Sequence, residues 1–132
     1  MGVRGTLLGL VFMAALLGTP GAALAEDWAA LDAHNTGTGP VVWGSDKEQT
    51  RARAVAACRR VSDTCSGGAA WTNDLESVFV YMCCTRPRLA CTIGTGDTKP
   101  DAVALASKLF SDNGFTACTV RNYLSARTGK KM

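Results

Sequence analysis

The sequence has few aromatic residues, a single histidine and none of the short motifs that mark common catalytic or nucleotide sites. Aromatic residues make up 7% of the chain, and His34 is the one histidine. There is no Gly-x-Ser-x-Gly, His-Glu-x-x-His, phosphate-binding loop or dinucleotide fingerprint. The Cys-x-x-Cys pairs typical of zinc sites are also missing. We therefore expect no catalytic residues, no cofactor and no bound metal.

No apolar run reaches the roughly 20 residues that a helix needs to cross a bilayer. The most apolar stretch, residues 7–17, follows Arg4 and precedes a Pro20-Gly21 break and the small residues at 23–25. This order of basic, apolar and small residues is typical of a secretory signal peptide. We predict a cleaved signal peptide at 1–25 and one secreted or periplasmic domain at 26–132, with a flexible tail from about residue 125.

Neither sign of charge is in large excess, since the net charge is +3 and charged residues are 19% of the chain. The basic residues are spread along the sequence, and Asp46, Glu48 and Asp63 interrupt the most basic region. A nucleic-acid surface would need a denser basic patch. We expect a monomer that binds no nucleic acid and, after signal cleavage, no membrane; its partner would be an unknown protein or envelope component.

Cysteine, in contrast, is plentiful. An even number of cysteines in an exported chain predicts a disulfide framework, with each bridge adding about 2–4 kcal/mol. Adjacent strand residues point to opposite faces, so Cys83 and Cys84 would bridge to different partners, with Cys91 and Cys118 as candidates. Cys58 and Cys65 would close a short loop. This is one choice among the 15 pairings open to six cysteines, which here are Cys58, Cys65, Cys83, Cys84, Cys91 and Cys118.

The same cysteines permit a different function. Cys83, Cys84 and Cys91 are soft ligands of the kind that hold Cu(I), and an adjacent cysteine pair can be redox-active. One function open to this chain is thus that of a small exported enzyme, or of a redox or copper-binding protein that uses these residues. It is the alternative to the binding module that the other features favour.

Two further groups of side chains could form a site. His34 follows Asp32 by two residues, which could place both on one face near a turn, but we expect a surface turn histidine without catalytic function. The three tryptophans, Trp28, Trp43 and Trp71, could make a binding face, but packing in the core explains such residues as well.

The first half of residues 26–132 predicts a β-hairpin, a helix and two strands. Residues 28–33 and 40–44 flank a Gly-containing turn. Ser45 and Glu48 have the spacing of a capping box that opens a helix running to about Arg60, with Ala54, Ala57, Cys58 and Val61 on its apolar face. Strands follow at 65–71 and 76–84, around a turn at residues 73–74, and the second is apolar enough to be central.

The second half repeats this plan. It predicts a strand at 89–93, a Gly-Thr-Gly turn at 94–96, and a helix from Thr98 to Asn113-Gly114 with Ala102, Ala106, Leu109 and Phe110 on its apolar face. A last apolar run ends at residue 124. The fold class is therefore a small disulfide-stabilised α+β domain, an antiparallel sheet with two Ala-rich helices in a tandem strand–helix–strand pseudo-repeat.

These segments resemble a family of secreted bacterial proteins, the domain of unknown function numbered 4189. The resemblance lies in Trp28-Ala-Ala-Leu, a Gly-rich turn, Ala54-Val-Ala-Ala-Cys58 with Cys65, and Gly94-Thr-Gly before the second Ala-rich helix and Cys118. A family cysteine that precedes the central strand is missing near Leu75, and the family's bridges therefore do not transfer as a set. The resemblance implies an exported α+β domain without defined catalytic residues.

We therefore predict an exported, non-catalytic binding or interaction module. The candidate binding loop carries Arg86 and Arg88 on either side of a proline that restricts the backbone. It lies between Cys84 and Cys91, and a rigid loop loses little entropy when it binds.

Overall fold

The structure, a computed structural model, describes residues 27–132, so the predicted signal peptide lies outside the described residues. The described chain is mixed α+β, as predicted. Its elements are β1 Trp28–Leu31, β2 Ala33–His34, β3 Gly37–Thr38, β4 Val42–Gly44, α1 Lys47–Arg59, β5 Ala70–Thr72, β6 Val78–Arg86, β7 Ala90–Gly96, α2 Lys99–Asp112 and β8 Thr116–Ser125.

Each half of the described chain forms a three-stranded antiparallel sheet with its first strand in the centre. β1 lies between β4 and β5, and β6 lies between β7 and β8. The short β2–β3 ribbon extends the first hairpin. Both halves run strand, strand, helix, strand, which confirms the tandem pseudo-repeat and adds one strand to each copy.

The junction between sheet and helix is the same in both copies. The strand before the helix in each copy, β4 or β7, ends in a glycine, which is Gly44 or Gly96. The helix N-cap, Asp46 or Thr98, follows two residues later. Each N-cap side chain accepts a hydrogen bond from the backbone amide three residues on, which satisfies one of the free donors of the first turn.

The two sheets pack face to face, and each helix covers the outer face of its own sheet. Alternate residues of a strand point to opposite faces. Leu31 of β1 and Phe79 of β6 therefore reach the core that the sheets share, while Ala30 packs against Ala54 of α1 and Val80 packs against α2. The result is four layers in the order helix, sheet, sheet, helix.

The first helix differs from the prediction in its N-cap and in the position of Val61. Its N-cap is Asp46, one residue after the predicted Ser45, because the Asp46 carboxylate accepts the hydrogen bond from the Gln49 amide at 2.8 Å. The helix ends at Arg59, so Val61 lies beyond it and is 64% exposed rather than on the buried face.

Three other segments also differ. Of the strand predicted at 65–71, only the last two residues lie in a strand, which is β5, and residues 65–69 form a loop. β5 and β6 belong to different sheets, so the turn between them connects the two layers. The glycines at 94–96, predicted as a turn, continue β7 because α2 packs directly on them.

The last residues fold back on β8. The Ser125 amide donates to the Lys130 carbonyl and the Met132 amide donates to the Tyr123 carbonyl, both at 2.9 Å. The segment predicted to be flexible is thus hydrogen-bonded to the second sheet. Among residues 27–132, no helix is both long enough and apolar enough to cross a membrane.

Candidate binding groove

All six cysteines form disulfides. The pairs are Cys58–Cys65, Cys83–Cys91 and Cys84–Cys118. Cys83 and Cys84 point to opposite faces of β6 and bridge to opposite neighbours, β7 and β8. The three sulfur atoms that the copper or redox hypothesis requires are thus held in bonds in this state.

The Asp32 carboxylate serves the fold. It accepts hydrogen bonds from the Ala33 amide at 2.8 Å, from the Gly67 amide at 3.1 Å and from the Ser66 hydroxyl. These contacts fix the loop that follows α1. The carboxylate lies within 4.8 Å of the Cys58 and Cys65 sulfurs, but both sulfurs are committed to their disulfide.

His34 is buried, which corrects the expectation of a surface turn residue. Its ring Nδ1 lies 3.2 Å from the Thr36 hydroxyl, and its carbonyl oxygen accepts a 2.7 Å hydrogen bond from the Tyr81 hydroxyl. The ring thus bonds within the β2–β3 ribbon, while the backbone carbonyl of His34 holds the ribbon onto the second sheet. Asp32 and His34 have separate partners and form no acid–base pair.

The three tryptophans do not form one face. Trp28 and Trp71 meet edge to face at 5.6 Å on the outer side of the first sheet, whereas Trp43 donates its indole N–H to the Ala126 carbonyl at 2.8 Å. Lys47 lies over Trp71 at 4.4 Å, and Lys99 lies over Tyr123 at 4.8 Å in the equivalent place of the second copy. This recurrence assigns the lysine–aromatic contact to the architecture of the repeat.

The predicted binding loop joins β6 to β7 at an exposed end of the second sheet. The Cys83–Cys91 disulfide closes its base, and the Cys84–Cys118 disulfide ties the end of β6 to β8 on the other side. Its arginines have different surroundings. Arg86 is exposed at the end of β6, opposite Thr116, while the Arg88 guanidinium lies 5.2 Å from the Phe115 ring and lines a cavity.

A groove follows β7 along its whole length. It consists of a cavity of about 470 Å³ beside Arg88 and a second of about 530 Å³ beside Asp97, and the two adjoin at Gly68, Thr92 and Leu109. We call this feature the β7 groove. β7 forms its floor, Leu105 and Leu109 of α2 form one wall, and residues 66–74 form the other.

The α2 wall is apolar and open to solvent. Leu105 and Leu109 are 41% and 42% exposed. The prediction that Leu109 lies on the buried face of this helix is therefore wrong, whereas Ala102, Ala106 and Phe110 do pack in the core. Exposed leucines grouped beside a concave surface are typical of a binding site, whereas scattered ones need no explanation.

The ends of the β7 groove carry opposite charges. Arg88 lies at the start of β7, while Asp74 and Asp97 lie at the other end. Arg51 also lines the acidic end, but it is 3.6 Å from the Glu48 carboxylate and donates to the Ala69 carbonyl. Asp97 has no ion-pair partner within residues 27–132.

The sequence predicted Arg88 as a contact residue but not the groove. A signal was present: β7 contains neither charge nor proline, two features that usually protect an edge strand. Leu105 and Leu109 also extend the helix surface beyond its alanine stripe. Neither signal shows which strand is at an edge, because that depends on how the two sheets pack.

Comparison of the chain with protein-family models, with curated proteins and with solved structures found no match in any of the three. The resemblance to the family numbered 4189 therefore stays a prediction that rests on the sequence motifs alone.

Proposed function

We propose that this protein is an exported, non-catalytic module that binds a partner protein in the β7 groove. The observation that carries the proposal is the combination of an open groove with a rigid frame. Two disulfides join β6 to both of its neighbours, so the groove floor is fixed before a ligand arrives. Preorganisation of this kind reduces the entropy lost on binding.

Export accords with the disulfides and with the signal-like sequence at 1–25. Structural disulfides form and persist in oxidising compartments such as the periplasm or the extracellular space. Buried positions of Cys58, Cys83, Cys84 and Cys91 fit a structural role for these bonds. An exported domain meets partners outside the cytoplasm, so envelope or extracellular proteins are the proposed ligands.

Site-specific photo-crosslinking in producing cells tests the proposal. A benzophenone side chain at Leu109, inside the β7 groove, should give a defined adduct with a partner protein. The same group at Val61, which is exposed away from the groove, is the matched control and should not. An Arg88→Ala change should weaken the Leu109 adduct, while Arg86→Ala should leave it.

The proposal fails if adducts form equally from both positions or are insensitive to Arg88. It also fails if the oxidised protein turns over a substrate in a hydrolase or oxidoreductase screen and loses this activity after a substitution that leaves the fold intact.

A further inference from the structure

We infer that the ligand of the β7 groove is an extended peptide segment that adds to β7 as an antiparallel strand. This inference rests on the proposed function and names the chemistry of the partner. It depends on three observations: the free backbone groups of β7, the absence of edge protection, and the opposite charges at the two ends of the groove.

The register shows which backbone groups of β7 point into the groove. Directly opposite residues in an antiparallel pair are about 4.5 Å apart at Cα when they exchange no hydrogen bonds and about 5.5 Å when they do. The Cα atoms of Cys83 and Cys91 are 4.1 Å apart, so Cys91 does not bond to β6. By alternation, Cys91, Ile93 and Thr95 direct their N–H and C=O groups away from β6.

Those groups have no partner within residues 27–132. β6 is the strand partner of β7 in the described chain, and no other backbone hydrogen bond there reaches the amide or carbonyl of Cys91, Ile93 or Thr95. All three residues line the β7 groove. Backbone donors and acceptors two residues apart along one edge are the pattern that an added strand pairs with.

β7 is also the least protected edge of the two sheets. β4 and β5 have only three residues each, and β8 carries Arg121 and pairs with β6 through a register irregularity at Tyr81 and Met82. Short strands, charges and bulges all discourage strand addition. β7 has seven residues and none of these features.

For a strand that runs antiparallel to β7, the charges of the groove select the order of charged residues along the peptide. A strand antiparallel to β7 begins near Asp97 and ends near Arg88. A basic residue at its start and an acidic residue or terminal carboxylate at its end would meet charges of opposite sign. Apolar side chains at alternate positions would contact Leu105 and Leu109. The proposed ligand is thus a basic-to-acidic extended segment with alternating apolar residues.

The first test uses a fluorescent eight-residue peptide in which valine and threonine alternate between an initial lysine and a final glutamate. The probe should bind the oxidised protein with saturable anisotropy. The same composition in reverse order should bind about tenfold more weakly. In the antiparallel direction, each of its terminal charges would meet a groove charge of the same sign. Equal binding of both orders would overturn the assigned direction.

Backbone methylation of the peptide separates strand addition from side-chain contact without altering the protein. Alternate amides of an added strand face β7, and the others face away. Methylation of one alternate set should weaken binding about tenfold or more, while methylation of the other set should have little effect. Equal effects from both sets would overturn the inference.

Protein variants give an independent readout. Thr95→Pro removes an edge N–H that makes no bond to β6, and it should weaken binding of the probe peptide about tenfold. Thr95→Val keeps the N–H and should leave this binding unchanged. Arg88→Glu should weaken binding and Arg86→Glu should not. If Thr95→Pro fails to fold, the methylated peptides still decide the question.

Two results would overturn the inference and leave different conclusions. If the Leu109 crosslink forms and depends on Arg88 while the probe fails to bind, the module binds a partner by another chemistry and the proposed function stands. If light scattering shows a dimer that Thr95→Pro dissolves, the occupant of the β7 edge is a second copy of this chain.

Discussion

Gly94 is where one missing side chain determines how closely a helix approaches its sheet. A Cβ atom at this position would lie 2.9 Å from the Ala106 Cβ and would also meet the Ala102 carbonyl. We expect Gly94→Ala to lower the free energy of unfolding by about 2 kcal/mol or more, since overpacking of a tight contact forces the backbone to shift.

Gly68 provides the matched control. A Cβ there meets nothing within 4 Å, and its backbone does not need the left-handed region. In urea unfolding of the oxidised protein, the midpoint of Gly68→Ala should therefore be close to that of the parent, and the midpoint of Gly94→Ala should be clearly lower. Equal midpoints would mean that α2 can move away from β7 at little cost.

Tyr81 couples stability to alkaline pH. Burial raises the pKa of its hydroxyl above the ordinary value near 10, although Arg121 and a backbone hydrogen bond oppose the shift. The folded state then holds this proton at a pH where the unfolded chain has lost it. The unfolding free energy should consequently fall as pH rises from about 9 to 11.

The Tyr81→Phe variant tests this coupling. It loses the hydrogen bond to the His34 carbonyl, which costs about 1 kcal/mol at neutral pH. Its stability should then depend less on pH in the alkaline range than that of the parent. Parallel pH profiles for the two proteins, measured by urea unfolding, would contradict the assignment to Tyr81.

At the scale of elements, sequence patterns predicted which segments are helices and strands better than where they end. The Thr98 N-cap and the Asn113-Gly114 stop are local signals, and the structure has both. Gly94 and Gly96 mislead, because the local preference of glycine for turns does not reveal the helix packed against them. Residues 65–69 lack strand partners because Asp32 holds this loop through side-chain contacts.

The candidate site shows the same division between local and tertiary information. The Arg86–Arg88 loop was predictable because cysteines and a proline mark it in the sequence. The groove was not, because it forms where the free edge of β7, the exposed side of α2 and a loop of the other repeat meet. Only Arg88 of the two arginines reaches it, since the direction of a turn side chain depends on the strands that carry it.

The disulfides should differ in their contribution to stability. Cys84–Cys118 spans 34 residues and Cys58–Cys65 spans 7. In the chain-entropy description, the longer loop restricts the unfolded state more, by about 1.4 kcal/mol. Replacing both cysteines of the longer bridge by alanine should therefore destabilise the protein more.

The comparison is well matched because Cys84 and Cys58 are both fully buried, so each double variant removes one buried sulfur. Chemical unfolding of the two double variants under identical oxidising conditions measures the difference. The reverse order of stability would show that native packing around α1 outweighs loop entropy.

At the scale of the whole molecule, the two repeats form one structural unit. Their inner faces share a core, and a hydrogen bond crosses between them: the Trp43 indole of the first repeat donates to the Ala126 carbonyl after the last strand. Neither sheet could bury its inner face alone. We therefore expect a single cooperative unfolding transition although the chain carries two copies of one motif.

The distribution of tryptophan makes this expectation testable. All three tryptophans lie in the first repeat, so their fluorescence reports that repeat, while far-UV circular dichroism reports both. Phe110→Leu alters the outer core of the second repeat and should cost roughly 1 kcal/mol. In a cooperative protein, the fluorescence and dichroism midpoints should shift together.

Val61→Ala, at an exposed position of the first repeat, should shift neither midpoint. A fluorescence midpoint that stayed at the parent value in Phe110→Leu, while the dichroism transition split, would show that the repeats unfold separately. Coincident shifts would mean that a loss of packing under α2 also destabilises the first repeat, which contains Trp28 and Trp71, through the shared core. A ligand bound at β7 would then stabilise both repeats, because binding to a single cooperative unit raises the stability of all of it.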